Sequence, residues 1–273
     1  MDNLPLITVI TPVYNASLFL PRVIACVQEQ HLDNYEHILV DDCSKDDSFD
    51  VLLRFAAKDK KIKVIQLPKN CGAVMARNAA ISVAKGRYLA FLDADDVWMP
   101  SKLKIQSMFM LENNAALSFS DYRFISEDGS RIGRLLRGPN RIGWSLHHMT
   151  RYLGCLTIMV DRKRCPGFLF PDVSPDDPVE DFLAWSAIIN EHKVAVRCPY
   201  DLARYAVVHN SRSRSAVKMA KSVWRLYRIT EKIPLVSATA YFVVYFLFAS
   251  IKRYFFRPIW ARSKIDNDFY LLD

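Results

Sequence analysis

At 273 residues, 51% of them apolar, the chain is long enough to bury a substantial core and has the composition of a globular protein rather than a disordered one. Its formal net charge of +8 is unevenly placed: residues 1–211 hold 25 Lys/Arg and 25 Asp/Glu, residues 212–273 hold 12 and 4. A basic end of this kind points to an acidic partner, either nucleic acid or an anionic membrane surface. The six cysteines form no C-x-x-C pair and no metal-ligand spacing, and several lie in apolar runs, which argues for a reducing compartment. Pro5 and Pro12 interrupt the first apolar run and no basic n-region precedes it, so no cleaved secretory signal is expected and the main body is expected in the cytoplasm.

In chain order, Leu6–Thr11, Glu36–Val40, Ile62–Leu67 and Tyr88–Leu92 read as buried strands. Between them Ser17–Gln30, Asp46–Ala57 and Ala73–Ala84 carry apolar residues at helical spacing, and Pro100–Glu112 is a further helix with proline in its first turn. Strand–helix–strand alternation with short loops predicts a parallel sheet in an α/β fold. In such sheets ligands bind at the carboxyl ends of the strands. Polar residues gather at each of those ends: Tyr14 and Asn15 after the first strand, Asp41 and Asp42 after the second, Asn70 after the third, and Asp93, Asp95 and Asp96 after the fourth. Three carboxylates in four positions repel one another and add nothing to folding. A divalent cation with oxygen ligands, itself bound to phosphates, would relieve them. A polar turn, with Asp96 capping the helix near Pro100, would account for the same residues.

From 115 to 210 the pattern is less regular. Leu117–Ser120 and Cys155–Val160 look like strands, and between them the segment with Arg131, Arg134, Arg137 and Arg141 reads as a long basic loop, either closing over substrate or merely solvated. The acidic stretch Asp172–Asp181 leads into a helix over Phe182–Asn190. In Ala216–Ile233, Lys218, Lys221, Arg225, Arg228 and Lys232 form a basic stripe opposite Met219, Val223, Leu226 and Ile233. Pro234 ends it, and Leu235–Ile251 follows without a charge. That segment fits a helix in the membrane interface, a short span or a buried helix. The expected division is 1–211 as one domain, with 1–115 and 116–211 as its two halves, and 212–273 as a basic amphipathic and apolar helical tail.

Ile10-Thr11-Pro12-Val13-Tyr14-Asn15, Val40-Asp41-Asp42-Cys43-Ser44, Asn70-Cys71-Gly72 with Ala76-Arg77-Asn78, and Leu92-Asp93-Ala94-Asp95-Asp96, in this order, closely resemble the family 2 inverting glycosyltransferases of the bacterial surface-polysaccharide type. Glu180-Asp181-Phe182-Leu183-Ala184-Trp185 looks like the acid-pair motif of that family. The resemblance implies the GT-A fold, a Rossmann-like, mostly parallel sheet flanked by helices, here with a membrane-associating helical tail. It implies a catalytic 1–211 domain with a nucleotide-sugar-binding half over 1–115 and an acceptor-binding half over 116–211. It implies a nucleotide-sugar donor, by family habit a UDP-sugar with GDP and dTDP left open, with the nucleoside against Pro12 and Tyr14, hydrogen bonds to Asp42 and Asp41, Asn70 on the same rim, and Arg77 near the base or diphosphate. It implies Asp93 at the ribose or the metal's water shell, Asp95 on Mn²⁺ or Mg²⁺, and His209 near the metal or diphosphate. Asp181 would be the base that takes the acceptor's proton, with Glu180 orienting it or binding acceptor. An acidic first turn favoured by the helix dipole explains the same pair.

The acceptor implied is a lipid-linked saccharide at the cytoplasmic face of the bacterial inner membrane, reached by a peripheral or monotopic enzyme resting on an anionic membrane surface. Nucleic acid is not an expected partner, because the basic stripe lacks interleaved aromatics for base stacking. A noncatalytic nucleotide-sugar binder would require a damaged D-x-D or base, and both are intact. A sugar nucleotidyltransferase would carry a glycine-rich phosphate loop where Pro12-Val13-Tyr14-Asn15 stands.

Overall fold

The computed structural model describes residues 6–150, 152–173, 179–207, 216–256 and 261–262. The predicted alternation appears as β1 (Ile7–Val13), α1 (Leu20–Gln28), β2 (Tyr35–Asp41), α2 (Ser48–Ala56), β3 (Ile62–Gln66), α3 (Gly72–Val83) and β4 (Tyr88–Phe91). A two-residue strand, β5 (Val97–Trp98), and α4 (Lys102–Glu112) follow. The second half holds β6 (Leu117–Ser126), β7 (Arg131–Leu136), β8 (Arg141–Ile142), α5 (Trp144–Thr150), β9 (Ile158–Asp161), α6 (Glu180–His192) and β10 (Ala195–Val207). The tail holds α7 (Ala216–Arg225), a π turn over Leu226–Thr230, α8 (Leu235–Phe256) and β11 (Ala261–Arg262).

The sheet runs β11-β7-β6-β9-β4-β1-β2-β3, with β10 beside β6. β3, β2, β1 and β4 are mutually parallel, while β9 is antiparallel to both β4 and β6. All seven residues of β2 are buried, as expected of a parallel strand covered on both faces. Ala76, Ala80, Trp185 and Ile188 of α3 and α6 share one apolar cluster with the strands, and Val23, Val27, Leu103 and Met110 of α1 and α4 share another.

The turn into β4 sets where the acidic segment emerges. Thr8 donates its hydroxyl to Glu36 (2.7 Å) and accepts the Gly86 N–H (2.9 Å), while Glu36 also accepts the Lys85 N–H (2.6 Å). A Cβ at Gly86 would stand 2.4 Å from the Thr8 backbone nitrogen, so only glycine lets the chain pass there. With that anchor, β4 pairs Tyr88–Phe91 against Ile7–Ile10 and releases Asp93 at the rim.

Two expectations are corrected. The basic segment 131–141 is not one long loop: Arg131–Leu136 pairs antiparallel with β6 and Arg141–Ile142 with β10, leaving only 137–140 as a short connection. Ile132 packs against the core and Leu136 is buried in it, while Arg131 and Arg134 stay exposed; a register shift against β6 between Ile132 and Leu135 breaks the simple alternation that would have marked the strand. Asp96 does not cap α4, whose N-cap position is Ser101 with no side-chain cap. It accepts the Ala206 N–H instead (2.8 Å) and ties the acidic turn to β10.

Among the described residues no helix is long and apolar enough to cross a membrane. The tail is not a loose appendage: Val223, Leu226, Tyr227, Ile233, Ala238 and Tyr245 form one cluster with Phe182 at the start of α6.

Candidate active site

The loops after β1 and β2 are fastened to each other. Asn15, at φ 48, accepts the Lys45 N–H (2.8 Å) through its side chain and donates its own N–H to Ser44 (3.0 Å). Tyr14 beside it is 46% exposed and offers an aromatic face at the rim, and Pro12 is half-buried.

Asp42 is buried, and its two carboxylate oxygens accept the N–H groups of Cys71 (2.7 Å) and Gly72 (2.8 Å). It thereby closes the N-terminus of α3, where Gly72 sits at φ 85, a left-handed conformation that favours glycine. Asn70 donates to the Asp42 carbonyl (3.3 Å), which draws the third strand's loop onto the second's. The start of α2 is served by Asp46, which accepts the Ser48 N–H (3.0 Å), so the 41–42 pair is not that helix's cap. Asp41 is fully buried; one oxygen accepts from Ser44 (3.2 Å) and Gln66 (3.3 Å), and the other finds no hydrogen-bond donor among the described residues.

Arg77 joins two motifs that stand far apart in sequence. Its guanidinium donates to Asp93 Oδ1 (2.6 Å) and lies 3.7 Å from Glu180 Oε1, with the Phe170 ring 5.3 Å away. Only 5% of the residue is exposed, so its charge is held inside the fold and not in solvent. Burial opposes its charge, but the groups around it, Cys155, Asp93 and Glu180, more than offset this and hold its pKa above the usual arginine value. Burial also pushes the Cys155 thiol well up, which keeps it protonated, so the carboxylates supply that field.

Asp96 is buried, and burial first, then the charges of Asp95 and Asp93, raise its pKa well above the usual carboxylate range. The repulsion inferred from the crowded carboxylates is therefore present in the fold, and it is the condition a hard cation would relieve. Among the described residues no three His, Cys, Asp or Glu side chains form a ready-made metal cage. An oxygen-ligated ion here would complete its shell from the donor's diphosphate and water, which suits Mn²⁺ or Mg²⁺. His209, the third expected ligand, lies outside the described residues.

Glu180 and Asp181 open α6, where the helix dipole favours negative charge. Asp181 Oδ1 accepts the Phe182 N–H (2.7 Å). The Phe182 ring stacks on His147 (4.1 Å, 13°), whose Nε2 pairs with the Phe182 carbonyl (3.1 Å). α5 therefore holds the end of α6 that carries the acid pair.

The structure thus brings Asp93, Arg77 and Glu180 into direct contact with Asp181 adjacent in sequence, and gathers Tyr14, Asp41, Asp42 and Asn70 in connected loops. Sequence reasoning missed Arg22 and Phe170. Arg22 donates to the carbonyls of Asp95 (2.8 Å) and Glu127 (3.1 Å) and so fixes the acidic turn from α1. Phe170 forms an aromatic wall for Arg77. Neither belongs to a motif, and no sequence signal marks them.

A parallel sheet extended by antiparallel strands, with polar loops and an acidic turn gathered at the strand ends, is the GT-A architecture. Residues 8–163 match Glycosyl transferase family 2, and the chain belongs to that family and is a glycosyltransferase. It is 36% identical over 241 residues, 88% of this chain and 94% of the relative, to TuaG of Bacillus subtilis, a glycosyltransferase assigned to teichuronic acid biosynthesis. It is 31% identical to WfgD of Escherichia coli, over 92% of this chain and 96% of the relative. WfgD is named as a UDP-Glc:alpha-D-GlcNAc-diphosphoundecaprenol beta-1,3-glucosyltransferase. Among solved structures, TarS of S. aureus in complex with UDP-GlcNAc superposes with a TM-score of 0.65 at 17% identity, covering 91% of this chain and 73% of that one. The mannosyltransferase PcManGT of Pyrobaculum calidifontis, with GDP-Man and Mn²⁺, superposes at 0.67 and 17% identity, covering 91% and 74%. These two likenesses establish the shared fold.

Proposed function

We propose that the chain transfers a sugar, with inversion at the anomeric carbon, from a UDP-sugar to a lipid-linked saccharide during bacterial surface-polysaccharide synthesis. The observation that carries this reading is the Arg77 contact with both Asp93 and Glu180, because it brings a donor-side carboxylate and the acid pair into one site. Supporting it are the donor and acceptor for which WfgD is named and the pathway of TuaG, both relatives being matched over nearly their whole length.

In this reading the uracil stacks on Tyr14 beside Pro12, and Asp41 and Asp42 accept hydrogen bonds from base or ribose, with Asn70 shaping their loop. Arg77 orders the diphosphate side of the site. Asp95, with Asp93 and His209, would hold Mn²⁺ or Mg²⁺, which would supply charge neutralisation for the leaving diphosphate. Asp181 takes the proton from the acceptor hydroxyl as it attacks opposite the diphosphate, and Glu180 orients the acceptor. An α-linked donor then yields a β-linked product. The two-part division at 115/116 follows the chemistry, with the nucleoside contacts before it and the acid pair after it, while His209 reaches back to the metal from the second half. The enzyme works at the cytoplasmic face of the inner membrane, bound peripherally to its anionic surface, where such acceptors are held.

The test is a transfer and hydrolysis screen of UDP-, GDP- and dTDP-sugars with Mn²⁺ or Mg²⁺, using a diphosphate-lipid saccharide as acceptor. Release of UDP that rises with the lipid-linked acceptor supports the reading. Turnover of no nucleotide sugar with either metal, in folded protein, overturns it.

A further inference from the structure

Helix α8 is apolar on two sides, and among the described residues only one of them is packed against the rest of the fold. Ala238 and Tyr245 are buried in the cluster that contains Phe182, and Tyr241 lies against the Trp144 ring (6.0 Å). On the other side Val236, Val243, Val244, Leu247 and Ile251 are 83%, 52%, 39%, 60% and 49% exposed. At about 100° per residue these five fall within an arc of about 100°, opposite the buried set. Within residues 235–251 the one other position in that arc is Ala240, so the face carries no charge. Single exposed apolar side chains are ordinary, but a continuous charge-free face along a 22-residue helix marks a contact surface.

The neighbouring charges select the occupant. Lys221, Arg225, Arg228 and Lys232 on α7 and the turn after it are exposed, and Glu231 is the one acidic residue between 216 and 256. A second copy of this chain would set those cations against their own kind. An anionic bilayer offers acyl chains to the apolar face and headgroups to the basic one.

We propose that the Val236–Ile251 face of α8 rests in the headgroup–acyl boundary of an anionic bilayer, with the basic positions of α7 on the headgroups. The same tail packs on Phe182, the residue next to Asp181, so the docking helix and the acid-pair end of α6 are neighbours in one cluster. A lipid-held acceptor would then arrive beside the base. The inference deepens the lipid-linked acceptor reading and rests on it for its purpose, while its measurement needs no acceptor.

The full chain would be sedimented with vesicles of phosphatidylglycerol and phosphatidylcholine, and with phosphatidylcholine alone, at two salt concentrations. The wild type is expected to bind the anionic vesicles, less at high salt. Val243→Asp/Leu247→Asp is expected to lose at least about tenfold in partition. Leu111→Asp, 51% exposed on α4, is expected to bind as wild type. UDP-sugar hydrolysis in vesicle-free buffer should be the same in all three. Should the aspartates disturb folding by circular dichroism, Val243→Ser/Leu247→Ser reads the same loss. A folded double variant that binds vesicles as wild type does overturns the proposal. So does a wild type that ignores vesicles and sediments as a dimer which the double variant dissolves. Vesicle binding of the expected pattern without any donor hydrolysis would leave the docking intact and remove the catalytic reading.

Discussion

Arg77→Met tests whether one buried guanidinium holds the site together. Methionine keeps an unbranched apolar stem near Phe170 but leaves Asp93 without its 2.6 Å partner and Glu180 without its charge at 3.7 Å. Removing one member of a fully buried pair costs about 3–5 kcal/mol. Here the Asp93 side chain is 35% exposed and that of Glu180 19%, so water recovers part of the loss. About 2–3 kcal/mol remains. In a chain of this size that lowers Tm by about 4–12 °C. Loss of the fixed carboxylate geometry should also lower kcat by about a hundredfold. Arg77→Lys keeps the charge but cannot fork to two carboxylates, so it should recover more stability than turnover. Thermal melts with and without Mn²⁺, beside UDP-release kinetics, read all of this. A Met variant that melts within a degree of wild type and turns over normally would refute the reasoning.

The Asp96 pKa is raised in the fold, so the carboxyl contributes its full stability below the ordinary carboxylate range and loses it as pH rises through the folded value. Asp96→Asn retains an oxygen for the Ala206 N–H and should raise the metal-free Tm at pH 8; a lower Tm there would show that the charge is compensated. Asp95→Asn should abolish transfer, whereas Asp181→Asn should leave UDP–Mn²⁺ binding by calorimetry nearly intact while removing turnover; full activity in either sinks its assignment. Burial lowers the His37 pKa from 6.5 to about 3 and that of His148 to about 4. Their stabilisation is present above about pH 6.5 and lost as pH falls toward those values, so urea midpoints should fall from pH 7 to pH 5, less steeply in His37→Gln. Gly86→Ala should cost about 1–3 kcal/mol because its methyl meets backbone, and a neutral result in chemical denaturation would contradict the tight β1–β4 turn.

The parallel half was legible in the sequence because β-branched runs and helical spacing alternate without interruption from Leu6 to Glu112. The order of the family motifs pointed to the same fold and family. β10 was not legible: Arg197 pairs with Asp121, and Arg204 and Arg123 with Asp201, so charges stand where a buried strand would show apolar residues. The hairpin partner β7 was hidden because a register shift against β6 breaks its alternation and leaves exposed Arg131 and Arg134 three residues apart.

Sequence alone determined which residues end at the rim, since a strand's carboxyl end follows from the topology of an α/β sheet. It could not determine what each of them touches, because those contacts join elements tens of residues apart. Packing decided that Asp42 closes α3, that Asp96 holds β10, and that Arg77 sits between Asp93 and Glu180 rather than in solvent. The tail shows the same division. Its apolar run was plain in the sequence, but only burial of one face against Phe182 and exposure of the other separates the core side of α8 from its exposed apolar side.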